Sequence, residues 1–239
     1  MNKVLHPAQS RGSVNFGWLK ANYSFSFSGW YEPSRMNFGV LRVLNDDFID
    51  GGQGFPTHPH DNMEIITIPL EGGLAHKDSM GNGSVIEKYD IQVMSAGTGI
   101  LHSEFNASDT EQANTLQIWL FPNKKNVQPR YDQMRFAPAE RINKLQQVLS
   151  PDPDDEGVWI HQDAWFYLGN FDQGVSLNYH SKRNGNGVYL FLLSGNIDVE
   201  GELLNNRDAI GLFDLADEEI SIKTLEKSEF LLMDVPMQI

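Results

Sequence analysis

The chain of 239 residues contains no cysteine. That absence removes disulfides, thiol nucleophiles, iron–sulfur clusters and thiolate zinc sites together, so any metal must be held by nitrogen and oxygen. Basic residues are also scarce: 18 Lys and Arg against 32 Asp and Glu leave a net charge of −14. Binding a phosphate backbone leans on Lys and Arg contacts, so no nucleic-acid surface is expected. No run approaches the roughly 20 apolar residues that span a bilayer. The opening "MNKVLHPAQSRGSV" has no apolar h-region of the kind a signal peptide needs. A cytoplasmic protein without membrane attachment is the expectation.

What is present suits a folded globular chain, with 40% hydrophobic residues, 21 Gly and 11 Pro. Short alternating or β-branched segments dominate, among them "NFGVLRVLNDDFI", "MEIITIPLEG", "TLQIWLF", "VYLFLLSGNIDVEG" and "SEFLLMDVPM", divided by Gly, Asn, Asp and Pro clusters. This pattern predicts an all-β sandwich or barrel. One helix is predicted over residues 138 to 149, "PAERINKLQQVL", from a proline start and apolar residues at Ile142, Leu145, Val148 and Leu149. The acidic, proline-containing "SPDPDDEG" that follows reads as a solvated loop. A boundary near residue 140 divides the chain into residues 1–137 and 138–239. Both parts run strand, Gly turn, strand, Asp-containing turn, strand, as expected of an internal duplication and a double barrel.

The chemistry concentrates in two short stretches. In "GFPTHPHDNMEIITIPLEGG", His58 and His60 stand two apart, so on a strand both imidazoles point to one face. Pro59 between them lacks a backbone donor, which predicts an edge or bulged position near a barrel mouth. In "MSAGTGILHSEFN", His102 and Glu104 repeat the two-residue spacing after a glycine-rich turn. If both stretches belong to one barrel, three imidazoles and a carboxylate face inward. Burying such a cluster without partners costs several kcal/mol, and a divalent metal removes that penalty. All-N/O ligation suits iron(II), manganese, copper, nickel, cobalt or zinc and leaves open positions for water, dioxygen or substrate.

Glu64 competes with Glu104 as the oxygen ligand. Glu104 needs fewer assumptions, and Glu64 is expected to accept a hydrogen bond from a ligand histidine. His6, His76, His161 and His180 stand alone, and each is assigned an ordinary polar, loop or terminal role. Phe55, Met63, Met94, Phe105 and Trp119 are candidate pocket-lining residues.

These residues resemble the cupins, and within them the pirins. Gly52, His58, His60 and Glu64 follow the first cupin motif, whose closing glycine falls one position late at Gly72. Tyr89 stands before Asp90 where pirins usually have glycine, yet "DIQVMSAGTGILHSE" looks closely like the pirin version, as do "RGSVNFGWLKANYSFSFSGWY", "FGVLRVLNDDFI" and "AHKDSMGNGSVI". The likeness covers most of residues 10 to 135. It implies a bicupin: two face-to-face, jelly-roll-type cupin barrels with a short helical connection. The N-terminal barrel would hold one divalent transition metal, iron(II) first among the candidates, through His58, His60, His102 and Glu104. The C-terminal barrel would lack ligands, since "HSKRNG" offers only His180.

Bacterial pirins of this form look like quercetin 2,3-dioxygenases. The resemblance therefore implies a small aromatic, flavonol-like substrate, dioxygen as co-substrate and Glu104 as general base. The alternative is a non-enzymatic role, in which the metal's redox state alters a surface that binds a regulatory protein.

Overall fold

The computed structural model describes residues 1–239. Strands such as Glu64–Glu71 and Asn186–Ser194 are apolar almost without interruption, and each is buried along most of its length. A strand covered on both faces has that composition, whereas one wetted on one face alternates. The covering comes from the packing of four sheets.

In the N-terminal half, a seven-stranded sheet runs in the order Arg130–Arg135, Asp90–Ser95, Glu64–Glu71, Ala113–Leu120, Leu41–Ile49, Leu19–Tyr23 and Gly12–Asn15. A four-stranded sheet, Gly54–His60, Ile100–Asn106, Gly73–Asp78 and Gly83–Glu87, completes that barrel. The C-terminal half repeats the plan with one seven-stranded and one four-stranded sheet. Its first strand comes from elsewhere: Asn2–His6 pairs antiparallel with Ala209–Phe213. The chain thus begins in the C-terminal sheet before building the N-terminal barrel, a crossing that a division at residue 137 does not anticipate.

The two seven-stranded sheets pack against each other. Their contact is the largest apolar cluster in the molecule, 26 buried residues that include Leu44, Ile66, Ile118 and Val93 from one half and Phe166, Phe191, Leu231 and Met233 from the other. Each fully buried side chain of this kind contributes about 1.5–3 kcal/mol, so the halves hold each other in place. The interior of the C-terminal barrel is a separate apolar cluster of 16 residues, among them Tyr179, Ile220 and Ile222 on the strands that correspond in layout to the histidine-bearing ones.

The helix predicted over residues 138–149 shrinks to a 3-10 turn at Pro138–Arg141, and Leu145–Ser150 is a strand paired with Trp165–Phe171. Asn143 adopts φ 55°, which no helix tolerates in its interior. Val148 and Leu149, read as one helix face, are both fully buried in the shared core, where a bulge between Gln147 and Leu149 lets consecutive side chains enter the same core.

Two departures from the motif pattern acquire local explanations. Between Asn114 and Thr115 the register moves from Glu71 to Pro69, leaving Leu70 as an extra residue in its strand. This bulge absorbs the one-position delay of Gly72, which takes φ 68° in the turn that follows. Tyr89, in the place of a glycine, also adopts a left-handed φ of 76°. That conformation costs a bulky residue roughly 1–2 kcal/mol. The Arg141 guanidinium lies 5.5 Å from the Tyr89 ring centre and offsets part of the strain through a cation–π contact between the halves.

Candidate metal centre

Gly54–His60 is an edge strand of its sheet, as Pro59 predicts, so prolines here interrupt no ladder on the open side. It pairs with Ile100–Asn106, placing His58 opposite His102 and His60 opposite Ile100. The register then slips: Glu104 lies opposite Phe55, so the edge strand carries an extra residue between Phe55 and His58. Such a bulge increases local twist and re-aims side chains beside it. A Cβ at Gly54 would collide with the Glu104 carbonyl oxygen and the Phe105 Cα, so the two backbones approach this closely only with glycine there.

The three imidazoles converge. Ring centres are 4.4 Å apart for His58 and His102, 4.9 Å for His58 and His60, and 4.9 Å for His60 and His102. One nitrogen from each lies within 4.8 Å of the others. Nδ1 of His58 is 2.8 Å from the Pro56 carbonyl oxygen, which can only accept. Nδ1 therefore carries the proton and Nε2 presents its lone pair. His60 Nε2 and both ring nitrogens of His102 are buried without a hydrogen-bond partner. Burial, followed by the neighbouring His58, lowers the His60 pKa to about 4. Burial, then His58, His60 and His76, lowers that of His102 to about 2. Both rings are neutral at pH 7, the form that binds metal. Orphaned, neutral imidazole nitrogens gathered at one point fit a single divalent metal.

Glu104 is buried, and its carboxylate accepts hydrogen bonds from Gln117 Nε2, at 3.1 Å to each oxygen, and from Thr67 Oγ1 at 3.3 Å. Burial raises its pKa above the usual carboxylate range, against the opposing effects of His76 and these donors. In this arrangement Glu104 groups with His102 and His76, whereas His58, His60 and His102 form the other group. His102 is common to both.

His76 thus belongs beside the centre and not in a loop. It is 1% exposed, pairs in register with Glu104, and has no hydrogen-bond partner for either ring nitrogen. Glu64 departs from expectation in the opposite direction. Its carboxylate accepts from Ser95 Oγ at 2.8 Å and from the His161 backbone N–H at 3.3 Å, tying the N-terminal barrel to the C-terminal half. The acceptor for the His58 ring is the Pro56 carbonyl. His180 is exposed and pairs with Glu219 at 2.7 Å.

The histidines open into a cavity of about 370 Å³ walled by Phe27, Phe55 and Trp119 and floored by Asn45, Asp47 and Gln117. Of the expected pocket-lining residues, Phe55 and Trp119 take that place. Met94 is fully buried in a separate cluster with Ile65, Ala96 and Ile100, against which Met63 packs, and Phe105 is 39% exposed on the opposite face of its strand. Asn45, Asp47, Thr67 and Gln117 were not singled out from the sequence. Their signal is the run "NDD" inside "VLRVLNDDFI", apolar elsewhere but for Arg42, with Thr67 and Gln117 between apolar neighbours in "EIITIPL" and "TLQIWLF". Polar residues in the middle of a buried strand require a partner or a function.

Two all-β barrels joined through their large sheets, one with an inward histidine cluster and one filled by apolar side chains, define a bicupin. The family model Pirin matches residues 5–120, and the model described as Quercetinase C-terminal cupin domain matches residues 147–235. A quercetin 2,3-dioxygenase of Escherichia coli (strain K12) is 42% identical over 235 residues, covering 97% of this chain and 98% of its own. A pirin-like protein of Caulobacter vibrioides is 38% identical over 229 residues, covering 95% and 97%. The crystal structure of a bacterial pirin from Escherichia coli in complex with nickel(II) superimposes with a TM-score of 0.92 at 39% identity and covers 100% of both chains. The chain belongs to the pirin family.

Proposed function

We propose that this protein is a metal-dependent dioxygenase that opens the ring of a flavonol such as quercetin with dioxygen, its metal held by His58, His60, His102 and Glu104. The observation that carries the proposal is the group of three converging imidazoles, with buried unpartnered nitrogens, beside a buried carboxylate and an aromatic-walled cavity. The 42% identical relative named quercetin 2,3-dioxygenase and the nickel(II) complex of a 39% identical pirin support it. The donor set accepts iron(II), nickel, manganese, cobalt, copper or zinc, with iron(II) the first expectation.

A divalent metal in this position supplies Lewis acidity to a ligand hydroxyl and open coordination positions for the oxidant. The chain's residues do the rest. Glu104, a buried carboxylate beside the imidazoles, takes the proton of the flavonol 3-hydroxyl. Gln117 and Thr67 hold its carboxylate in place for that transfer. Phe27, Phe55 and Trp119 present flat apolar surfaces that orient the flavonol ring and keep water from the reacting atoms.

The test is to purify the protein anaerobically, quantify bound metals, and follow quercetin loss and oxygen uptake with each metal restored in turn. One metal per chain and coupled consumption of quercetin and oxygen is the expected result. Metal without turnover would overturn the assigned reaction, and no metal after reconstitution would overturn the site.

A further inference from the structure

On the strand Leu41–Ile49, Asp46 and Asp47 lie side by side and have opposite surroundings. Asp46 faces the seam between the barrels, where it accepts a hydrogen bond from Asn114 Nδ2 at 2.8 Å and lies 3.4 Å from Arg11 Nη1 and 3.6 Å from Arg207 Nε. Asp47 faces the cavity that holds His58, His60, His102 and Glu104, and is 4% exposed. Its Oδ1 has no hydrogen-bond partner. Two residues earlier on the same face, Asn45 lines the same cavity, is 3% exposed, and its Oδ1 is likewise unpartnered.

A buried carboxyl without a partner destabilises a fold and contributes nothing to it. Asp46 supplies the electrostatic tie between the halves, so Asp47 has no structural task of that kind. Its atoms also lie outside both groups of potential metal donors. What remains is a carboxyl and a neighbouring amide that line an aromatic-walled cavity without hydrogen-bond partners, and that a ligand hydroxyl can satisfy.

We propose that Asp47, seconded by Asn45, is the specificity-determining group of the cavity, accepting a hydrogen bond from a hydroxyl on the pendant ring of the aromatic ligand, remote from the hydroxyl that faces the histidines. The inference rests on the dioxygenase reading and narrows its substrate class to aromatics that carry a hydroxyl on the ring remote from the histidines. A site built to pair with a hydroxyl discriminates against ligands lacking it, since its own polar groups are then left unpaired.

The test uses the full chain loaded with nickel(II) under anaerobic conditions, so that equilibrium binding is read without turnover. Quercetin is titrated against galangin, the same flavonol without its two ring hydroxyls on the pendant phenyl, for the wild type, Asp47→Ala and Asp47→Asn. Metal content and melting temperature are measured alongside. Wild type should bind quercetin about tenfold more tightly than galangin, the value of one good hydrogen bond. Asp47→Ala should remove that preference while leaving galangin affinity within about twofold, and Asp47→Asn, which keeps an acceptor oxygen, should retain most of it.

A wild type with no preference between the two flavonols overturns the proposal whatever the variants do, and so does an Asp47→Ala that weakens both equally. Preferential binding of quercetin that Asp47→Ala abolishes, without oxygen uptake in air with any of the metals restored in turn, would sustain the proposal and overturn the dioxygenase reading. Turnover with unselective binding would do the reverse. If neither flavonol binds, both fall.

Discussion

His58 and His102 face each other across an antiparallel strand pair, their ring centres 4.4 Å apart, although 44 positions separate them in the chain. Each is two residues from another inward-facing group, His60 and Glu104, so this one pairing assembles the whole cluster. His102 is also common to both donor groups.

Substituting His102 should therefore do the most damage to metal retention. His102→Ala should lower the metal content of the dialysed protein by about tenfold or more, beyond the effect of disturbing an orienting partner. His180→Ala, at an exposed position in the C-terminal half, should leave it unchanged. Elemental analysis of the two variants beside the wild type checks both.

Glu104→Gln preserves the size of the side chain and can still meet Gln117 and Thr67, but it cannot take a proton. Turnover should fall by about 10²- to 10⁴-fold, the usual contribution of a positioned base, with metal largely retained by the three histidines. Steady-state oxygen uptake together with metal content measures this. Unchanged turnover would remove Glu104 from the role of base.

The buried Glu64 makes stability depend on pH. Burial raises its pKa to about 7 from an unfolded value near 4.5, so between those pH values the native state holds a proton that the unfolded state has released. Stability contributed by this group is present below about pH 4.5 and is lost as pH rises through about 7. Glu64→Gln should flatten that slope and leave the protein more stable at pH 8, by up to about 3 kcal/mol. Urea titrations of both proteins at pH 5 and pH 8 give the comparison, and parallel pH dependence would rule the effect out.

Asp234 organises the C-terminal barrel without any chemistry of its own. It is fully buried and accepts hydrogen bonds from Tyr179 Oη at 2.8 Å, the Lys182 N–H at 2.7 Å, Asn186 Nδ2 at 2.7 Å and Ser181 Oγ at 3.3 Å. Asp234→Ala leaves these donors unpaired and should destabilise the protein by roughly 3 kcal/mol. The 26-residue core joins the halves, so the loss should appear as one earlier unfolding transition of the whole molecule, seen by tryptophan fluorescence and circular dichroism alike. Two separated transitions would contradict the shared core.

Much of the site was legible because strand periodicity is local. Residues two apart share a face, so the spacing of His58 with His60 and of His102 with Glu104 already paired them, and Pro59 marked the edge strand that carries the first pair. The absence of cysteine confined any metal donors to nitrogen and oxygen. Alternating and continuous apolar segments were enough for the all-β class and for the repetition of layout between the halves.

Local pattern could not specify what depends on register between distant segments. The bulge opposite Glu104, the entry of His76 beside that carboxylate and the diversion of Glu64 to Ser95 and His161 arise from pairings across many residues and from the docking of the C-terminal half. The segment after Pro138 has apolar residues compatible with a helix, and its burial between the shared core and the second barrel made it a strand. Asp46 and Asp47 are chemically identical in the sequence. Only the tertiary structure, by turning one toward Arg11 and Arg207 and the other toward the histidines, gave the first a structural partner and left the second for a ligand.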